Sequence, residues 1–332
     1  MTPKLSIICI TYNQATFIRQ TLESFLMQKT NFPFEILVHD DASIDGTTEI
    51  IKEFEDKYPH IIKAVYQKEN QFSKGTNITK NFLYPLVRGK YVALCEGDDY
   101  WTDENKLQRQ VDFMETHPDY TLCFHPVTVH YEDNSQADHL FPLPDQITSR
   151  KLTFAKLLEQ NFIQTNSVLY RWRFHHDSLN LLRERILPCD WFIHLLHAQV
   201  GKIAFFPEPM AVYRKWQGGI WNGAGKSPEW FNRCGLANLR FWLAMEETFH
   251  INTRSEFEKL FFQILKYGND TTLQNLKSEF ADDYTKLEPQ TRQKTLNTIK
   301  YVGEKFMHYF VFGSARKKLK KRCQIAKFLS RF

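Results

Sequence analysis

The chain has 332 residues, of which 42% are apolar and 24% charged, a composition typical of folded rather than disordered proteins. Its formal charge of +5 comes from one segment, because residues 313–332 contain eight Lys or Arg residues and no acid. Without that segment 35 bases face 38 acids, so residues 1–312 carry −3, which argues against a general nucleic-acid-binding surface.

The first half of the chain alternates short β-branched runs with helical stretches. Strands are predicted at 4–10, 34–38, 60–66 and 90–95, and helices at 14–28, 47–58, 78–87 and 103–117. Such alternation, with continuously apolar strands, indicates an α/β fold with a mostly parallel sheet covered by helices on both faces.

The second half is less regular. Strands are predicted at 120–131, 164–172 and 202–206, a loop at 139–146, a helix at 189–199, and a short strand that runs into a Gly-rich loop over 211–225. From about residue 228 the pattern is helical. The predicted domains are therefore 1–226, divided into halves of about 1–118 and 119–226, and a helical region, 227–332.

The six cysteines are scattered without a C-x-x-C pair, which favours reduced thiols over a disulfide framework or a zinc site. The opening apolar segment is too short for a signal peptide, and no run approaches the ~18 apolar residues that a membrane-spanning helix needs. We therefore expect a cytoplasmic protein.

Polar clusters follow three of the predicted strands, namely TYNQ (11–14), HDDAS (39–43) and EGDD (96–99). Ligands of parallel sheets bind outside the carboxyl ends of the strands, so these clusters predict one site. A carboxylate at Asp41 can accept hydrogen bonds from a nucleobase or a ribose. Asp98 and Asp99 offer the oxygen ligands that suit Mg²⁺ or Mn²⁺ bound to a diphosphate.

Each of these acids also has a plainer explanation, and the residues alone leave both open. Asp45 or Thr47 is expected to cap the helix that follows the second cluster, although such a cap leaves the two preceding acids unexplained. Asp103 is suited to cap the helix after the third cluster, in which case water solvates the earlier acids.

Four motifs in order then resemble the family 2 glycosyltransferases of GT-A fold, most specifically bacterial members with the EGDDYW form. They are SIICITYN (6–13), HDDASIDGT (39–47), GKYVALCEGDDYW (89–101) and the later Asp190-Trp191. The resemblance runs from about residue 4 to 222, and it implies that 1–118 is the donor half and 119–226 the acceptor half of a catalytic domain, 1–226. It implies transfer from a nucleotide-sugar, expected to be a UDP-sugar, with inversion at the anomeric carbon, to a hydroxyl of a glycan or lipid-linked acceptor in bacterial surface-glycan assembly.

The resemblance also implies roles for single residues. Tyr12 matches the position that packs on the base and Asp41 the one that recognises it. Asp98 is expected to face the ribose or sugar, and Asp99 to hold the Mn²⁺ or Mg²⁺ ion that bridges the diphosphate. Asp190 matches the general base, with a helix cap as its alternative. The role of Glu96 stays open between a structural one and contact with the acceptor.

This sequence departs from the family pattern at two positions. Cys189 stands where relatives often have Glu, and Trp216 stands where many have a His that approaches the metal or diphosphate. Arg214 and Lys215 are predicted to contact the donor phosphates instead, with a purely structural Arg214 as the alternative. The Gly-rich loop 218–225 is predicted to be a flap over the donor.

The basic residues of 313–332 lie largely opposite an apolar side on a helical wheel, which predicts peripheral docking on an anionic membrane surface; a solvated terminal helix is the alternative.

Two other functions compete with glycosyl transfer. A sugar-phosphate nucleotidyltransferase predicts a Gly-rich basic loop after the first strand, but residues 11–17 contain neither Gly nor Lys. A non-catalytic sugar-binding or scaffold protein on the same fold is kept open by Trp216.

Overall fold

The computed structural model describes residues 2–148, 150–221, 224 and 227–289. The chain forms one compact unit that ends at Phe257 and a second that begins at Glu258. The predicted domain boundary near residue 226 stays a prediction. The predicted basic helix, 313–332, lies outside the described residues, as do four positions in and beside the predicted flap.

A mostly parallel sheet forms the centre of the first unit. The strands of this unit are, in chain order, β1 (Leu5–Thr11), β2 (Phe34–Asp40), β3 (Ile62–Tyr66), β4 (Tyr91–Leu94), β5 (Tyr100–Trp101), β6 (Tyr120–Phe124), β7 (Val127–Tyr131), β8 (His139–Phe141), β9 (Leu169–Arg171), β10 (Lys202–Phe205) and β11 (Ala211–Lys215). Seven of them form a sheet in the order β10-β6-β9-β4-β1-β2-β3. All its neighbouring pairs are parallel except the two that β9 makes, which confirms the predicted sheet.

Helices cover both faces of this sheet, as predicted. The helices of the described residues are α1 (Ile18–Leu26), α2 (Thr47–Lys57), α3 (Lys106–Thr116), α4 (Phe154–Glu159), α5 (Cys189–Ala198), α6 (Pro228–Phe249), α7 (Arg254–Tyr267) and α8 (Asp270–Glu279), followed by a helical stretch over 281–289. Successive strand residues point to opposite faces. Ile7 accordingly packs in a core with side chains of α1, α2 and α3, whereas Ile8 packs in a second core with α5 and α6.

Two predicted elements are interrupted by proline. The predicted helix 78–87 is a π-helical turn, Thr79–Leu83, followed by a 3₁₀ turn, Tyr84–Leu86, because Pro85 lacks an amide proton and restricts the residue before it. The predicted strand 120–131 is two strands, β6 and β7, in different sheets, with Pro126 between them. The predicted strand 164–172 begins as a 3₁₀ turn, and the predicted loop 139–146 contains β8.

A second, four-stranded sheet has the order β5-β11-β7-β8. Its strand β5 is only two residues long and was not predicted. Trp101 in β5 is 1% exposed and donates its indole N–H to the carbonyl oxygen of Asn166 at 2.9 Å. Since β5 pairs with β11, this sheet brings β11 beside residues 96–99, which follow β4 and are called the acidic turn below.

The second unit is helical over its described part. Asn269 caps α8 by accepting the backbone N–H of Thr272 at 2.9 Å. The rings of Phe261 and Tyr284 are arranged edge to face, with their centroids 6.4 Å apart. Among the described helices of the whole chain, none is both long and apolar enough to cross a membrane.

Candidate active site

The acids of EGDD form a tight turn at the carboxyl end of β4. The backbone N–H of Gly97 donates to Ile10 of β1 at 2.9 Å, and the hydroxyl of Thr21 in α1 donates to the carbonyl oxygens of Gly97 and Asp99 at 2.9 and 2.6 Å. A Cβ atom at position 97 would lie 2.7 Å from the side chain of Thr11, so only glycine allows this approach. The turn gathers carboxylate oxygens of Glu96, Asp98 and Asp99 within 4.8 Å of one another.

Asp99 is the most deeply buried of the three acids, at 0% exposure. Its Oδ1 atom accepts the backbone N–H of Arg214 in β11 at 2.9 Å. Its Oδ2 atom is buried and has no hydrogen-bond partner among the described residues. Burial and the neighbouring Asp98 and Glu96 raise the pKa of Asp99 well above its ordinary value. A buried, unpaired carboxylate oxygen costs free energy unless a proton or a cation satisfies it.

Asp98 and Glu96 share this electrostatic environment. Burial raises the pKa of Asp98, although a hydrogen bond from the indole Nε1 of Trp216 to its Oδ2 atom, at 2.7 Å, acts in the opposite direction. Burial, Asp98 and Asp190 together raise the pKa of Glu96 to about 8. The carboxylates of this turn therefore repel one another, and a bound divalent cation would offset that repulsion.

Arg214 is only 6% exposed, and protein groups surround its guanidinium. The guanidinium donates to the backbone oxygen of Asp98 at 2.6 Å and to Gln20, and pairs with Glu132 at 2.9 Å. It also lies over the ring of Tyr100 at 4.4 Å. These contacts favour the structural alternative for Arg214, and its contact with a donor phosphate stays a prediction.

The predicted base-binding residues lie at the ends of β1 and β2. The backbone N–H of Asp41 donates to the carbonyl oxygen of Thr11 at 3.0 Å, which places Asp41 next to Tyr12, whose side chain is 44% exposed. The Asp41 carboxylate is buried and accepts the backbone N–H groups of Gln71 and Phe72 at 2.7 and 3.0 Å. Asp41 thus fixes the loop after β3 in addition to its predicted contact with the base.

Neighbouring acids of the second cluster act within the protein. Asp40 accepts the backbone N–H of Ser43 at 3.1 Å and the hydroxyl of Thr48. Asp45 accepts the backbone N–H of Thr47, the first residue of α2, at 3.1 Å, but the N-cap position of this helix is Gly46 and carries no capping side chain, so the expected cap by Asp45 or Thr47 is wrong.

Asp190 opens onto a cleft of about 370 Å³ at the start of α5. Its Oδ2 atom accepts the hydroxyl of Thr165 at 2.9 Å, and the next residue, Trp191, is anchored by its indole N–H to the carbonyl oxygen of Leu157 at 2.8 Å. The cleft is also lined by Glu96 and Lys215 and by aromatic side chains, among them Tyr131, Tyr213 and Trp221. Burial lowers the pKa of Lys215.

The fold therefore brings most of the predicted site residues to one region. Glu96 lines the cleft together with Asp190 and Lys215, and the same turn carries Asp98 and Asp99. Thr165 carries no signal in the sequence, because it lies in a 3₁₀ turn of an otherwise irregular segment. Trp216 was noticed only as a departure from the family pattern, and its hydrogen bond to Asp98 was not predicted. The individual roles of these residues stay predictions.

Comparison with known sequences identifies the family. The sequence model described as Glycosyl transferase family 2 matches residues 6–189, more than half of the chain. The chain belongs to glycosyl transferase family 2. The family predicted from the four motifs is confirmed, and the match includes the acidic turn and ends one residue before Asp190.

Curated relatives of this family 2 chain are bacterial. The uncharacterised protein Rv1520 of Mycobacterium tuberculosis is 43% identical over 220 residues, which are 66% of this chain and 61% of that protein. The putative teichuronic acid biosynthesis glycosyltransferase TuaG of Bacillus subtilis is 30% identical over 146 residues, 44% of this chain and 55% of TuaG. The match thus spans less than two thirds of the length of these relatives.

Solved structures similar to this family 2 chain show its fold. TarS 1–349 of S. aureus, in complex with UDP-GlcNAc, has a TM-score of 0.53 at 17% identity and covers 88% of this chain and 92% of its own. The mannosyltransferase PcManGT of Pyrobaculum calidifontis, with GDP-Man and Mn²⁺, has a TM-score of 0.50 at 14% identity, with 89% and 85% covered. The predicted GT-A fold with a helical C-terminal region is confirmed.

Proposed function

We propose that this chain is a metal-dependent inverting glycosyltransferase that moves a sugar from a nucleotide-sugar, most simply a UDP-sugar, to a hydroxyl group of a glycan or lipid-linked acceptor. The observation that carries the proposal is the cleft in which Asp190 faces Glu96 of the acidic turn. Asp190 has one carboxylate oxygen held by Thr165 and the other proposed for proton transfer, and the carboxylate cluster of the acidic turn adjoins it across the cleft.

On the donor side, Tyr12 is exposed for stacking on the base, and Asp41 lies beside it at the next strand end. Asp98 follows at the turn after β4; its predicted contact with the ribose or sugar stays a prediction, and its carboxylate is assigned to the cation instead. Lys215 is proposed to reach the diphosphate, because it lines the same cleft as Glu96. Donor contacts at these positions would run from the base to the sugar along the carboxyl ends of the strands.

The acidic turn fits a hard divalent cation, Mn²⁺ or Mg²⁺. The residues that would hold it are Asp99, through its unpartnered Oδ2 atom, with Asp98 and Glu96 as further oxygen donors. When bound, such an ion supplies positive charge to the leaving diphosphate.

On the acceptor side, Asp190 is proposed to remove the proton of the attacking hydroxyl as the new glycosidic bond forms. The hydroxyl of Thr165 holds one carboxylate oxygen of Asp190 and leaves the other for the acceptor. Attack from this side, opposite the leaving nucleoside diphosphate, inverts the anomeric carbon in a single displacement. The aromatic walls of the cleft offer flat apolar surfaces suited to the faces of sugar rings.

The relatives support a role in bacterial surface polysaccharide, lipooligosaccharide or glycoprotein-glycan assembly. TuaG is named for teichuronic acid biosynthesis, and WfaP of Escherichia coli, 37% identical over 112 residues, for glucosyl transfer from UDP-Glc to a diphosphoundecaprenol-linked GlcNAc. A lipid-linked acceptor would suit the predicted cytoplasmic location with peripheral docking through residues 313–332. Co-flotation of the full chain with anionic liposomes tests that docking, and failure to float would contradict it.

The decisive experiment is a panel of nucleotide-sugars incubated with the full chain and Mn²⁺ or Mg²⁺, with released nucleoside diphosphate as the readout. We expect turnover of one donor class, a loss of at least 100-fold in Asp99→Asn, and activity within twofold of wild type in the control Asp133→Asn. Asp133 is exposed, and its carboxylate accepts local hydrogen bonds from the backbone N–H and the side chain of Ser135. Sugar binding without turnover of any donor would favour the non-catalytic alternative.

A further inference from the structure

Trp216 is held in a fixed position directly after β11. Its indole Nε1 donates to Oδ2 of Asp98 at 2.7 Å, and its ring meets the edge of Phe17 at a centroid distance of 5.2 Å. On another side the ring lies so close to Gly218 that a Cβ atom there would be 2.2 Å from a ring carbon. A ring confined in this way fixes the direction of its N–H bond.

The side chain of Arg214, two residues earlier, binds the backbone of the same residue, Asp98. Arg214 lies in β11 and Trp216 follows the last residue of this strand, and the side chains of both reach the acidic turn. The Arg214 guanidinium donates to the carbonyl oxygen of Asp98, and Trp216 donates to its side chain. The hydrogen bond from Trp216 occupies Oδ2 of Asp98, and the side chain of Gln14 also hydrogen-bonds to this carboxylate.

The neighbouring acid shows why this orientation matters. The Oδ2 atom of Asp99 is fully buried and unpartnered within the described part of the chain, and oxygens of Glu96, Asp98 and Asp99 lie within 4.8 Å of one another. A cation with strict octahedral geometry, such as Mg²⁺, tolerates little displacement of its ligands. Groups that orient metal ligands commonly change the metal affinity by about 10- to 100-fold when removed.

We propose that Trp216 is a positioning residue of the cation site, whose indole N–H orients the Asp98 carboxylate so that Asp98, Asp99 and Glu96 converge on one Mn²⁺ or Mg²⁺ ion. This inference rests on the cation site of the proposed function and deepens it. Trp216 does not coordinate the metal in this proposal; its indole N–H binds Asp98, a residue that does.

The test is Mn²⁺ affinity, measured from the electron paramagnetic resonance signal of free Mn²⁺ in the presence of UDP. Trp216→Phe keeps a ring but removes the N–H donor, and we expect at least tenfold weaker binding. The matched control is Trp172→Phe, because Trp172 is 6% exposed and its indole N–H has no partner among the described residues. That variant is expected to bind Mn²⁺ within twofold of wild type.

A double-mutant cycle separates positioning from general support of the fold. Asp98→Asn alone is expected to weaken Mn²⁺ binding, and adding Trp216→Phe should change the affinity by less than a further twofold, because the indole acts through Asp98. Binding by Trp216→Phe within twofold of wild type would overturn the proposal, and so would fully additive losses in the double variant. Absence of Mn²⁺ binding by the wild type would overturn the cation site itself, whereas transfer without added cation would leave glycosyl transfer standing.

Discussion

The acidic turn and Asp190 face each other across one cleft, yet the protein holds them in opposite ways. The turn at residues 96–99 is fixed by backbone and side-chain contacts from β1, α1 and β11, and Asp99 is fully buried. Asp190 is partly exposed at a helix start, where a single hydroxyl, from Thr165, holds one of its oxygens.

This difference shows which chemistry each position suits. Carboxylates crowded in a rigid turn around the fully buried Asp99 repel one another and gain most from a cation that several of them share. A general base must instead meet an incoming hydroxyl, which requires a free oxygen at an open surface. Burial and rigidity at the turn thus favour ion binding, and accessibility at Asp190 favours proton transfer.

The largest expected effect separates these two roles. Asp190→Asn keeps the size and the Thr165 contact of the side chain but removes its basicity, so kcat for transfer should fall about 10³-fold. Because the acidic turn is untouched, the affinities for UDP and Mn²⁺ should stay within twofold. Steady-state kinetics and equilibrium binding measure the two quantities, and Asp282→Asn, exposed in the second unit, is the control.

Loss of Mn²⁺ or UDP binding in Asp190→Asn would contradict the division of roles, since Asp190 would then belong to the donor site. Unchanged kcat would remove Asp190 from the reaction altogether. Asp99→Asn is expected to lose turnover as well, but in this variant cation binding is lost with it.

A second prediction concerns the core beneath the acidic turn. Lys106 is 0% exposed, with its ammonium 4.2 Å from the centroid of the Trp101 ring and 2.9 Å from Oε1 of Gln110. Burial lowers its pKa to about 8 from an ordinary 10.5. Below pH 8 both the folded and the unfolded chain hold this proton, whereas between pH 8 and 10.5 only the unfolded chain holds it. The contribution of Lys106 to the free energy of unfolding therefore rises with pH between 8 and 10.5.

The size of that rise is about 3 kcal/mol when the pKa shift is converted to free energy. Lys106→Met removes the titrating group and keeps the length of the side chain. Urea unfolding of both proteins at several pH values between 7.5 and 10.5 should show the wild type gaining stability relative to the variant. Parallel stability curves would show that the ammonium is solvated and that this core is not dry.

The donor half of the site could be predicted because its signals are local. Each of β1, β2 and β4 is an apolar run followed at once by polar residues, and parallel pairing brings those ends together. The predicted order of strands and helices up to residue 117 is confirmed apart from the interruption at Pro85 and the unpredicted strand β5. The family assignment rests on the same short motifs.

The contacts made by β11 could not be predicted, because they depend on pairing between distant segments. Arg214 donates to Asp99 across 115 residues of sequence, through a sheet whose strand β5 has only two residues. Periodicity gives no signal for so short a strand. The choice between a donor-binding and a structural Arg214 therefore stayed open in the sequence, and Thr165 was missed for the same reason.

The smallest expected effect tests how the cleft side is supported. The segment before Asp190 is tied to α6, because Asn238 donates to the carbonyl oxygen of Leu187 at 2.8 Å and the Leu187 N–H donates to the carbonyl oxygen of Ala237 at 3.1 Å. Asn238→Leu removes the side-chain bond, worth about 1 kcal/mol, at similar volume. We expect kcat to fall three- to tenfold with the KM for the donor unchanged, because only the base is displaced.

Leu243→Ala is the matched control, since Leu243 is 37% exposed on the same helix, and its kcat should stay within twofold of wild type. A rise in donor KM in Asn238→Leu would mean that α6 also supports the acidic turn, and the two sides of the cleft would then move as one. An unchanged kcat would show that Thr165 and the start of α5 suffice to hold Asp190. The predicted outcome is a change in kcat alone. It would mean that the acidic turn and Asp190 are supported independently and are linked only by the substrates bound between them.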